Sequence, residues 1–127
     1  MARLSQRTRR SLFVLALSLP FLAAGCGSAA ATGEAKQACA RIDRSLKTFE
    51  RAQAATSPAL KAQLTADAQA QLLSSLSLTA QATSSDGSFN ALMTTVSEAN
   101  RVPEQYLVPA LRRQCKVIES NTPYLTQ

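Results

Sequence analysis

The chain has 127 residues, 14 of them basic and 8 acidic, a formal net charge of +6, and neither histidine nor tryptophan. That length holds one small domain. Without histidine, the commonest general base, the Ser-His and Cys-His nucleophilic pairings and the commonest metal ligand are all missing. The glycines beyond residue 25, Gly27, Gly33 and Gly87, are too scattered for a phosphate-cradling loop.

The N-terminus carries Arg3, Arg7, Arg9 and Arg10 and no acid, and an uncharged run rich in Leu, Phe, Val and Ala follows from Ser11 to Gly25. A basic segment followed by an apolar one reads as a secretory signal. A membrane-spanning helix needs about 20 apolar residues, whereas this run is shorter and contains Pro20. Its end, Leu22-Ala23-Ala24-Gly25-Cys26, resembles the lipobox of bacterial lipoproteins, with Ala23 where most such boxes carry Leu. The resemblance implies cleavage before Cys26, a diacylglycerol on the Cys26 thiol, and a protein anchored by lipid to the extracytoplasmic face of the cell membrane. Thr8-Arg9-Arg10-Ser11-Leu12-Phe13 is similar to a twin-arginine export signal. A basic segment that happens to hold adjacent arginines is the preferred reading, because no cofactor here requires folding before export.

Removal of residues 1–25 leaves ten basic against eight acidic residues, a net +2. The basicity is therefore mostly a targeting feature, and no nucleic-acid partner is expected. With Cys26 assigned to lipid, Cys39 and Cys115 remain. Outside the cytoplasm such an even pair reads most simply as a disulfide, and no CxxC spacing supports the redox-active alternative. Closing so long a loop stabilises a fold by about 4–5 kcal/mol in the chain-entropy treatment.

Residues 26–33 read as the lipidated cysteine and a flexible tether of small residues, which places the domain, residues 34–120, close to the bilayer. The first helix is expected over 34–55, with Ala35, Ala38, Cys39, Ile42, Leu46, Phe49 and Ala52 at three- and four-residue steps. Ser57-Pro58 is a helix start. The second helix is expected to reach Thr83, with Leu60, Leu64, Ala68, Leu72 and Leu76 as its buried stripe and Leu73 and Ala80 widening it. Thr83-Ser84-Ser85-Asp86-Gly87-Ser88 is a break. A third helix carries Phe89, Leu92, Met93, Val96 and Ala99 and ends near Asn100. Pro103 and Pro109 are not expected in one straight helix. The reading is a turn or short helix at 103–108, then a last helix from Pro109 to Ser120 with Leu107, Leu111, Cys115 and Ile118 inward. Residues 121–127 form a tail.

The sum is an all-α, up-down-up-down four-helix bundle. Cys39, near the start of the first helix, and Cys115, near the end of the last, come together when those helices are antiparallel. No catalytic residue, cofactor or metal site is expected. Asp43 and Glu50 lie among cations on a solvated face, Asp86 beside Gly87 is a turn residue, and Tyr106 caps the core; Tyr106 and Tyr124 stacking on a ligand is the lesser reading. Met93 is core rather than a haem ligand. Lys36, Arg41, Arg44, Arg112, Arg113 and Lys116 are brought to the end nearest the tether. They are candidate contacts for anionic headgroups, each contributing about 1 kcal/mol there. An ordinary solvated face with cations at a helix C-terminus accounts for the same residues and is preferred.

Ala-Cys-Ala-Arg-Ile-Asp-Arg-Ser-Leu at 38–46, Asp-Gly-Ser-Phe-Asn-Ala-Leu at 86–92 and Leu-Arg-Arg-Gln-Cys at 111–115 give the domain its character. It resembles the small, Ala-rich, disulfide-linked helical lipoproteins of high-GC Gram-positive bacteria. That resemblance carries no activity. The expected function is a non-enzymatic binding or structural module of the cell envelope, with an envelope protein as partner. The alternative is a small carrier of an apolar ligand, such as a lipid, held between helices.

Overall fold

A computed structural model describes residues 26–120. Residues 1–25, expected to be the signal segment, and residues 121–127, expected to be the tail and including Tyr124, lie outside the described residues. The described chain is all-α and makes four helical arms running up-down-up-down. Helix α1 (Cys26–Ala54) is the first arm. The second is α2 (Pro58–Leu73) and α3 (Leu76–Ser85), joined at a break. Helix α4 (Asn90–Ser97) is the third, flanked by 3-10 turns at Gly87–Phe89 and Glu98–Asn100, and α5 (Glu104–Glu119) is the fourth.

The expected stripe of α1 is buried along its whole length, from Ala35 to Ala52. The helix also starts earlier than the composition suggests. Residues 27–33, read as a flexible tether, are its first turns. Four of those seven residues are alanine or threonine, and Ala31 is fully buried and belongs to the core cluster, so packing overrides the glycines that flank this stretch. At 1.5 Å per residue the 29 residues of α1 span about 43 Å.

Ser57 caps α2 with extended backbone, its Oγ accepting from the Leu60 N–H, and Pro58 takes the first helical position as expected. The second arm is not one helix, however. At its middle the Leu72 carbonyl accepts from both the backbone N–H and the Oγ of Ser75, and Ser74 Oγ donates to the Gln71 carbonyl. Short hydroxyl side chains that bond back to the preceding turn compete with the helical ladder, and two in succession break it. The break changes the phase of the buried face. Ala68 and Leu72 are buried as expected, but Leu60 is 46% exposed, Leu64, Leu73 and Leu76 are half-buried and Ala80 is exposed. Beyond the break Ser75, Thr79 and Ala82 turn inward instead, with the hydroxyls of Ser75 and Thr79 donating to carbonyls three residues back.

Asp86 accepts from the Ser88 N–H at 2.9 Å and opens the turn into α4, and that bond holds its carboxyl below the usual range. Phe89, Leu92, Val96 and Ala99 are buried and Met93 half-buried. The division expected between 103 and 109 is absent. Pro103 precedes α5, so only Pro109 lies inside the helix. Pro109 and Gln105, four residues back, are both exposed, so water serves the carbonyl that the missing N–H leaves open. One continuous α5 buries Leu107, Leu111, Cys115 and Ile118, and its first turn also buries Glu104. Tyr106 does not cap the core. It falls off that stripe and is 68% exposed.

The Cys39–Cys115 disulfide links the first and last arms, with Cα atoms 5.4 Å apart. Together with the packing of α1 against α2 and α3, it makes α1 the element that the second and fourth arms share, while α4 packs on α3 and α5.

Candidate functional site

A cleft of about 470 Å³ lies at the end of the bundle away from Cys26. Helix α1 contributes Phe49 and Gln53, α2 contributes Lys61, Thr65, Gln69 and Leu72, and residues 99–105 form the remaining wall. That wall leads from the 3-10 turn at Glu98–Asn100 into α5. It is fastened to α2 by Gln69, whose Nε2 donates to the Ala99 carbonyl at 3.0 Å. Arg101 is turned to Glu98, 2.9 Å away, while Lys61 has no ion pair among the described residues.

Glu104 is the unusual member of this cleft. Its side chain is only 8% exposed. Oε1 lies 2.7 Å from Ser45 Oγ, which is in turn 2.7 Å from the carbonyl oxygen of Ala68 on α2. Oε2 is buried without a hydrogen-bond partner. Burial raises the Glu104 pKa above its ordinary 4.5, and a bond donated by Ser45 to the ionised form would oppose that rise only in part. Glu104 and Ser45 thus join three arms, α1, α2 and α5, at one buried polar point.

Neither residue was a candidate in the sequence, although a signal for both was present. Glu104 stands three residues before Leu107 and seven before Leu111, in register with the α5 stripe. Ser45 follows Ile42 by three and precedes Phe49 by four, in register with the stripe of α1. A polar residue in phase with an apolar stripe is a buried polar residue. Starting the last helix at Pro109, after a turn or short helix at 103–108, separated Glu104 from that helix and hid its phase.

The six cations expected at one end are divided. Arg41 and Arg44 line a groove with Gln71 and Ser74 along the α1–α2 seam, where Arg41 Nη1 donates to the Ser74 carbonyl at 2.7 Å. Arg112 pairs with Glu50 of α1. Lys36, Arg113 and Lys116 are exposed and have no ion pair among the described residues. The separation follows from helical phase. Arg41 and Arg44 face the side of α1 that meets α2, not the side that carries Cys39 to Cys115.

Asp43 pairs with Lys47 at 2.7 Å and Glu50 with Arg112, both pairs on exposed faces. The hydrogen bond from Lys47 to Asp43 raises the lysine pKa. Among the described residues no three His, Cys, Asp or Glu side chains converge as a metal-binding group. No protein-family model matches the chain, and neither does any curated protein or solved structure.

Proposed function

We propose that the protein is a lipoprotein anchored through Cys26 to the extracytoplasmic face of the cell membrane, where it binds an envelope component without catalysing a reaction. The observation that carries this reading is the ordered run at the N-terminus: four arginines, an uncharged apolar stretch, then Ala23-Ala24-Gly25-Cys26. The fold supports a positional role for it. Helix α1 begins at Cys26 and runs without a break to Phe49 in the cleft, about 35 Å at 1.5 Å per residue. A lipid at one end of such a rod holds the cleft at a set distance from the anchor. No helix among the described residues is long and apolar enough to cross a membrane, so in this reading Cys26 supplies the attachment.

Lys36, Arg113 and Lys116 complete the proposal. The disulfide ties the last turns of α5 to the middle of α1, about 20 Å from Cys26 at 1.5 Å per residue, and these three cations meet anionic headgroups when α1 lies along the bilayer, each adding about 1 kcal/mol. Equal binding of the Cys26→Ser protein to neutral and anionic vesicles would remove this contact from the proposal.

Replacing Cys26 with Ser is expected to move the protein from the membrane fraction to the soluble fraction, and continued membrane retention refutes the anchor. Native mass spectrometry of protein taken from its own membrane reads the bound component. An envelope molecule retained by the folded protein supports the binding module. A second lipid, held noncovalently beyond the anchor, favours the apolar carrier instead.

A further inference from the structure

The contacts around Ser45 set a proton count. Ser45 Oγ is 2.7 Å from Glu104 Oε1 and 2.7 Å from the Ala68 carbonyl oxygen. Two oxygens at that separation repel unless a proton lies between them, so these contacts need two protons. A serine hydroxyl supplies one, a carbonyl none, and an ionised carboxylate none. The second proton therefore belongs to Glu104. Glu104 Oε1–H donates to Ser45 Oγ, and Ser45 Oγ–H donates to the Ala68 carbonyl. Oε2 is then a neutral carbonyl oxygen, which costs far less to bury without a partner than half of a carboxylate.

From this geometry we infer that Glu104 is a neutral carboxylic acid that latches α5 to α1 and α2, and that its ionisation frees the first turn of α5 and opens the cleft. The charged groups around it do not favour the ionised form in place. Helix α1 places only Phe49 and Gln53 in the cleft, neither of them charged, and Arg44 beside Ser45 is exposed. Helix α2 contributes Lys61, and Asp67 beside Ala68 is exposed. The 98–103 segment contributes Arg101, which bonds to Glu98. None of the three cations forms an ion pair with Glu104.

The latch has a mechanical consequence. Helix α5 is tied to α1 covalently at Cys115 and by hydrogen bond at Glu104. When the second tie is lost, the disulfide remains as the pivot, and residues 99–105, one wall of the cleft, are held by the Gln69 contact to Ala99. The closed state holds a proton that the open state releases at the ordinary carboxyl value of 4.5. From there upward each pH unit favours opening about tenfold, until the raised pKa of the closed state is passed and the effect levels off. The latch is therefore tight in acid and loosens as pH rises. This inference does not depend on the membrane anchor.

Hydrogen exchange on the purified protein, corrected for intrinsic rates, tests it from pH 4.5 upward. Peptides covering residues 98–108 are expected to lose protection by about tenfold per pH unit before levelling. Peptides covering 111–119, beside the disulfide, should keep theirs. Glu104→Gln supplies an amide N–H to Ser45 at every pH, and its 98–108 peptides should stay protected with a flat profile. The same pH profile in wild type and Glu104→Gln overturns the latch, as does an equal loss of protection along the whole chain. Titration of the Glu104 carboxyl by carbon NMR is an independent reading that needs no variant. A pKa above 4.5 is expected, and one at or below it overturns the inference.

Discussion

Removing the Cys39–Cys115 bridge should lower the melting temperature sharply. The bond closes a separation of 76 residues, nearly the whole of the packed chain. In the chain-entropy treatment such a loop restricts the unfolded state by about 4.5 kcal/mol. The described domain runs from 26 to 120, and at about 2.1 cal/mol/K per residue its unfolding entropy is about 0.2 kcal/mol/K. The quotient is a fall of about 20 °C. Cys39 is fully buried and Cys115 nearly so, and both lie in the apolar seam, so alanine is the replacement that adds no buried polar group. The measurement is thermal unfolding by circular dichroism of Cys39→Ala/Cys115→Ala against the parent, both carrying Cys26→Ser. A fall under about 5 °C, equivalent to about 1 kcal/mol, would mean that the unfolded chain gains little freedom from the cut and would refute this account.

Two further substitutions test the packing. Leu72→Ala removes a fully buried side chain from the α1–α2 seam and should cost about 3–5 kcal/mol in urea unfolding, whereas Leu60→Ala, at an exposed position of the same helix, should stay within about 0.5 kcal/mol. Equal costs would place the buried face of α2 elsewhere. Pro109→Ala restores an N–H opposite the Gln105 carbonyl within α5 and should stabilise the domain by about 1–3 kcal/mol, because neither exposed residue depends on the proline ring for packing. No gain in the urea midpoint would show that the ring makes contacts that offset the recovered bond.

The outer arms were legible in the sequence because their signal is periodic and repeated. Seven apolar positions along α1 and four along α5 recur at helical steps, and all of them are buried. The cysteines stand in those same stripes, so the pairing of Cys39 with Cys115 and the antiparallel course of the two arms could be read together. Helix α2 offered a weaker pattern. Its alanines and leucines surround the helix almost evenly, and which of them turns inward is settled by contact with α1. The break at Ser74-Ser75 was hidden for a related reason. Serine is tolerated in a helix, and only where its hydroxyl finds the preceding carbonyl does the ladder part.

The sequence by itself determined an all-helical chain, the inward faces of its first and last arms, and the cysteine pair that joins them. Those properties rest on local periodicity and on residue types that behave alike in most surroundings. Tertiary structure decided that residues 27–33 join α1, that Pro109 is accommodated within α5, that the six cations separate, and that Glu104 meets Ser45 inside the bundle. Each of these depends on which surface of another helix, or of water, lies opposite. The protonation of Glu104 is the sharpest case. An aqueous glutamate has the ordinary carboxyl value, and only burial inside the bundle beside Ser45 raises it.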